Sequence, residues 1–103
     1  MIDWERVKEL RDEIGDDDFS EVAEMFMVEV EEVIDRLRAA PDPGRYEADL
    51  HFLKSSALNL GFSQLAELCQ DGEHRSASGA AEGVNLAPIF ACYDASKSAF
   101  QAA

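Results

Sequence analysis

The sequence predicts an all-α fold: an antiparallel four-helix bundle with an additional short N-terminal helix. Three observations carry this expectation. Apolar residues recur at helical spacing in five successive segments, and no stretch alternates apolar with polar as a half-buried strand would. The punctuation is sparse and falls between those segments: Gly15 with Asp16-Asp17-Asp18, then Pro41-Asp42-Pro43-Gly44, then Gly61, then Gly79 to Gly83. Helices with one-sided apolar stripes and short connections can bury those stripes only against one another. A chain of 103 residues holds one such core, so residues 1–103 are expected to form a single domain.

The first segment, Asp3 to Ile14, sets Trp4, Val7, Leu10 and Ile14 at helical spacing behind an aspartate able to cap. The second, Asp18 to Ala40, carries a continuous stripe from Phe19 through Phe26 and Val30 to Leu37, with Asp18 and Glu21 placed as a cap and its N3 acid. At 1.5 Å per residue it spans about 33 Å. The third, Arg45 to Leu60, buries Tyr46, Leu50, Leu53, Ala57 and Leu60, and Gly61 suits the left-handed position that follows a helix. The fourth begins at Ser63 as its N-cap, carries Leu65, Leu68 and Cys69, and is expected to fray before Ser76. The fifth starts near Val84, with Pro88 in its first turn, where a missing N–H is tolerated. Trp4 is expected to anchor the first helix, and Met27 and Cys69 to fill the core.

Composition excludes several classes of function. Nine basic residues against 22 acidic ones leave a net charge of −13. Such a surface does not displace counterions from nucleic acid and does not dock on anionic lipid. No apolar run approaches the roughly 20 residues of a membrane span, and the early acids do not resemble a signal peptide. Cys69 and Cys92 lack metal-ligand spacing and read as reduced thiols of a cytoplasmic, monomeric protein. The charge is also uneven. From Asp12 to Asp35 there are eleven acids and no Lys or Arg, and between Arg45 and Arg75 the single basic residue is Lys54.

That lysine leads to the candidate site. On a helical wheel the third segment turns His51 about 140° away from the centre of its buried stripe. Lys54, Ser55 and Leu58 follow at three, four and seven residues, on the same outward side. A histidine on a helix surface is ordinarily only that. This one shares its face with the one ammonium of the region and with an uncovered leucine, where a solvated helix would carry Glu or Lys. By contrast, His74 has no lysine three residues on and reads as plain surface. Met25, Val28 and Phe52 are further surplus apolar residues, read either as scattered surface hydrophobes or as part of a docking patch.

The run His51-Phe52-Leu53-Lys54-Ser55-Ser56-Ala57-Leu58-Asn59-Leu60-Gly61 resembles the signature of histidine-containing phosphotransfer (HPt) domains, roughly His-x-Leu-Lys-Gly-Ser-Ser-Ala-Asn-Leu-Gly. The likeness continues in phase through Leu65, Ala66, Leu68 and Cys69 to Glu73, twenty-two residues after the histidine. It departs at Ser55, where the family usually has a glycine that lets a partner approach, and at Leu58, in place of the usual alanine.

The resemblance implies that His51 is a phosphoryl acceptor. Imidazole, with an ordinary pKa of about 6.5, offers a free nitrogen lone pair at neutral pH. If the outer nitrogen attacks, the inner N–H needs an acceptor to hold the tautomer. The resemblance puts Glu73 there, with Gln70 one turn earlier as the alternative. Lys54 would offset the phosphoryl charge. Ser55 and Ser56 are possible donors to phosphoryl oxygens, and Ser55, Leu58, Gln70 and Met25 are the expected interface residues.

The sequence has no Gly-rich phosphate loop, no nucleotide motif and no carboxylate cluster near His51, so no cofactor of its own is expected. Phosphoryl transfer calls on a divalent cation, and magnesium is expected in the partner, a receiver domain of a response regulator or hybrid kinase. The implied role is a phosphoryl carrier in a phosphorelay rather than an ATP-using kinase. A helical module that docks on receivers without carrying phosphate is the alternative.

Overall fold

A computed structural model describes residues 2–102; Met1 and Ala103, the ends of the expected 1–103 domain, lie outside the described residues. Five helices run in order: α1 (Trp4–Ile14), α2 (Asp16–Ala39), α3 (Tyr46–Leu60), α4 (Ser63–Ala77) and α5 (Ala87–Ala102). Short 3-10 turns at Pro43–Arg45 and Ala81–Gly83 precede α3 and α5. No strand occurs among the described residues, so the all-α expectation holds.

Polar contacts between helices define how α2 to α5 surround the core. Arg36 on α2 grips Asp49 on α3 with two parallel bonds, Nη2 to Oδ1 at 2.7 Å and Nη1 to Oδ2 at 3.1 Å. His51 on α3 meets Glu73 on α4. Tyr93 and Lys97 on α5 both donate to Glu31 on α2. Phe19, at the start of α2, packs on Phe100 near the end of α5, so these two helices are antiparallel. Inside this ring Val30, Ile34, Leu50, Leu53, Leu65 and Tyr93 are almost wholly buried. Each such side chain contributes about 1.5–3 kcal/mol by leaving water.

Asp3 caps α1, its Oδ1 accepting from the Arg6 N–H at 3.2 Å, and its own N–H donates to the Gly61 carbonyl at 2.6 Å. Gly61 has φ +77° and closes α3, as its place after Leu60 predicts. Thus α1 covers the end of the bundle at the α3–α4 corner, held by buried Val7 and Leu10. Trp4 is a correction: it is 47 % exposed and does not anchor the helix.

Helix boundaries in α2, α4 and α5 also differ from expectation. α2 begins at Asp16, not Asp18, because Gly15 takes φ +95° and accepts from the Phe19 N–H, which frees three aspartates to fill the first turn, where the helix dipole favours anions. α4 places Phe62 at its cap position, with Ser63 as the first helical residue, because the fully buried Phe62 ring sets the chain's entry into the helix. It also continues to Ala77 instead of fraying before Ser76, since Ser76 Oγ donates to the Gly72 carbonyl at 2.8 Å and the Ser78 N–H to His74 O at 3.1 Å. α5 starts at Ala87, later than expected, where Asn85 Oδ1 accepts the Ala87 N–H. No helix among the described residues is long and apolar enough to cross a membrane.

Candidate functional site

The site lies where the outward side of α3 meets α4. Leu50 and Leu53 are wholly buried, and His51 and Lys54 each follow one of them, so helix rotation carries both toward the surface beside α4. Close approach of the two helices is permitted at Gly72, where a Cβ would stand 2.7 Å from Leu50 Cδ1. Glu73, the next residue, thereby reaches His51.

The His51 side chain is 62 % exposed, and its Nδ1 lies 2.9 Å from Glu73 Oε2. Lys54 Nζ lies 3.0 Å from the other oxygen, Glu73 Oε1. The carboxylate itself is mostly covered, at 16 % exposure, and Oε1 is shut off from solvent. Lys54 approaches it at ion-pair distance but off the hydrogen-bond direction, so the contact is one of point charges. Burial pushes the Glu73 pKa up, but the Lys54 contact and the His51 hydrogen bond outweigh it and leave the group below its ordinary range. Glu73 is therefore ionised at neutral pH and can only accept. It follows that His51 Nδ1 carries the proton, and that the lone pair of the neutral ring sits on Nε2, on the exposed side.

Of the other residues singled out in the sequence, Ser55 and Leu58 are exposed along the same helix as His51. Gln70 is exposed on α4 beside Glu67, Asp71 and His74; Glu73, not Gln70, takes the imidazole. Ser56 is buried, which removes it as a donor to an incoming group. Phe52 packs partly buried against the core instead of standing free. Met25 and Val28 are exposed on α2 with Glu21, Glu24 and Glu29 around them. Lys54 is 21 % exposed and engaged with Glu73, not standing free beside the histidine. Cys69 and Cys92 are free and buried, and burial pushes the Cys69 thiol up to about 12. Among the described residues no group of three His, Cys, Asp or Glu side chains is placed to hold a metal.

Helical periodicity does not reveal the paired contacts on Glu73, nor the Arg36–Asp49 clamp two residues before His51. Glu73 is in phase with His51 only once α3 and α4 are known to be antiparallel neighbours.

These features define a class: a helical bundle presenting an imidazole outward, with its inner nitrogen tied to a mostly covered carboxylate. The sequence matches the Hpt domain family over residues 21–102. The chain belongs to that family, and is a phosphotransfer module of two-component systems. Hpt domains interact with receiver domains. Comparison with curated proteins and with solved structures returned no match. The match leaves α1 outside it.

Proposed function

We propose that this chain is a phosphorelay carrier that takes a phosphoryl group from a receiver-domain aspartyl phosphate onto His51 and passes it to a second receiver. The observation that carries the reading is the exposed imidazole whose Nδ1 is bound to an ionised, largely buried Glu73. In the forward step the Nε2 lone pair attacks phosphorus, the P–O bond to the aspartate breaks, and the carboxylate leaves with its electron pair. The ring then carries the phosphoryl group on Nε2 and keeps its proton on Nδ1. Glu73 offsets the positive charge the ring acquires. The return step is the same displacement by another aspartate. Magnesium and the acidic pocket that balance the phosphoryl charge are assigned to the receiver.

The test is a phosphotransfer profile. Each receiver domain of the source organism is phosphorylated with labelled acetyl phosphate and mixed with the chain. At least one is expected to transfer label that is acid-labile and alkali-stable, and His51→Gln is expected to abolish it. Equal labelling of His51→Gln, or no label from any receiver, overturns the proposal. Receiver binding without label identifies the docking-only module instead.

A further inference from the structure

The helix outside the family match, α1, borders a hollow that the His51 site does not use. Trp4, Val7 and Arg11 on α1, with Phe19 and Met27 on α2 and Phe100 on α5, line a cavity of about 370 Å³. The same three α1 residues, with Lys8, line a second of about 250 Å³. Trp4 and Lys8 are exposed, and the Arg11 guanidinium lies 4.6 Å over the Phe19 ring. This is an aromatic hollow with two cations at its edge.

The neighbouring surface of α2 has the opposite character. Glu21, Glu24, Met25, Val28 and Glu29 share one face of the helix at spacings of three and four. Met25 is 60 % exposed and Val28 52 %, the apolar centre of a strip edged by three glutamates. Glu24 lines both the hollow and the strip, so the two form one continuous surface. Among the described residues, neither Lys8 nor any of these three glutamates has an ion-pair partner within the chain.

We infer that this surface is an interface with a second copy of the chain, in which the Met25–Val28 strip of each copy lies in the Trp4 hollow of the other about a two-fold axis. No residue of α3 or α4 lines either feature, so the inference goes beyond the carrier reading and does not depend on it. It departs from the monomer expected from the sequence.

Charge complementarity selects the occupant. The strip offers carboxylates around apolar side chains, and the hollow offers apolar walls beside an ammonium and a guanidinium. A second copy brings both features in the required relative placement, because a two-fold interface uses the same patch twice. Pairing strip with strip would set glutamates against glutamates, which costs several kcal/mol in mismatched contacts. Two chains of charge −13 repel at a distance, but at physiological salt that field is screened beyond about 8 Å, so the signs at the contact decide. Methionine, unbranched and polarisable, suits an irregular hollow. The contact involves α1 and one half of α2, at the weak end of specific interfaces, which cover about 800 Å² per partner. The His51 face of each copy stays open.

Two measurements test this on the full chain. In sedimentation between about 10 μM and 1 mM, the range of weak specific pairs, the mass is expected to rise from one chain towards two. Lys8→Glu and Val28→Glu, both at exposed positions, are each expected to weaken association at least tenfold. The second measurement keeps hollow and strip intact. A spin label is attached through Glu32→Cys, an exposed position one turn beyond Val28, since Cys69 and Cys92 are buried. Mixed with a nitrogen-15 copy that bears no label, it is expected to broaden the Trp4 indole N–H and the Lys8 amide of that copy, and to lose this effect when the nitrogen-15 copy carries Lys8→Glu. A single-chain mass at every concentration, association unmoved by Lys8→Glu, or broadening confined to Met25 and Val28 overturns the inference. A monomer in which Val28→Glu slows transfer from a receiver also overturns it, and assigns the strip to the receiver.

Discussion

At the scale of single residues, Ser55 is where this chain departs from its family next to the reactive ring. It lies four residues after His51 on the exposed side of α3, one helical turn along. The hydroxymethyl group stands where the family's glycine leaves open space. A serine in mid-helix is also less costly than a glycine, by about 0.5 kcal/mol. Ser55→Gly is therefore expected to speed transfer from receivers while lowering stability by about 0.5 kcal/mol, a fall of about 2–4 °C in Tm. Stopped transfer assays and a thermal melt check the two halves separately. An unchanged transfer rate would show that the hydroxyl does not obstruct docking, and the reason for the serine would then lie in helix stability alone.

At the scale of elements, α1 stands apart in that it lies outside the family match. Its hold depends on Gly61, whose φ of +77° closes α3 and whose carbonyl accepts from Asp3. A Cβ at Gly61 would stand 2.7 Å from the backbone oxygen of Asp3, an atom with no freedom to swing away. Gly61→Ala thus combines left-handed strain with a clash, and is expected to cost about 2–3 kcal/mol and loosen α1. Gly79 has φ +89° and nothing near its missing Cβ. Gly79→Ala is expected to show the strain alone, about 1–2 kcal/mol. Thermal melts of both, with hydrogen exchange of α1, measure the difference; equal losses would mean that the Asp3 contact contributes nothing.

The same elements show what is legible in the sequence. Gly61 is readable as a helix end because a left-handed terminus needs glycine at one defined position. His51, Ser55 and Leu58 are readable as outward because one helix's periodicity determines which way they face. The start of α2 is not, since three consecutive aspartates offer a cap at each position and only the Gly15 turn selects among them. Trp4 misleads because its spacing with Val7 says which side it is on, not how far the bundle extends to cover it. Arg36–Asp49 and Lys54–Glu73 are out of reach for a further reason. Each joins two helices, and the relative height of two helices is set by packing that no single stripe encodes. The role of Glu73 enters through family resemblance.

At the scale of the whole molecule, the charge of −13 and the few carboxylates that are bound make opposite contributions as pH falls. Unpaired surface acids repel one another, so protonating them relieves the folded state. Glu31 works the other way. Burial raises its pKa, but hydrogen bonds from Lys97 and Tyr93 outweigh this and hold it below its ordinary value. A carboxylate lowered in the folded state binds its proton later than in the unfolded chain. Its contribution is therefore present above the ordinary glutamate range, near pH 4.3, and is lost as pH falls through the folded value. Its partners are the Tyr93 phenol and the Lys97 ammonium, both reaching it from α5. Glu31→Gln retains an acceptor for Tyr93 and loses the ion pair. Its melting temperature is expected to lie below wild type at pH 7, and the gap is expected to narrow as pH falls below the ordinary glutamate value of about 4.3, while the wild type itself changes less because the relieved repulsion compensates. Melts from pH 7 to pH 3 at fixed salt check this. A gap independent of pH would assign the Glu31 contribution to packing rather than charge, and would leave the general acidity of the surface as the sole source of pH dependence.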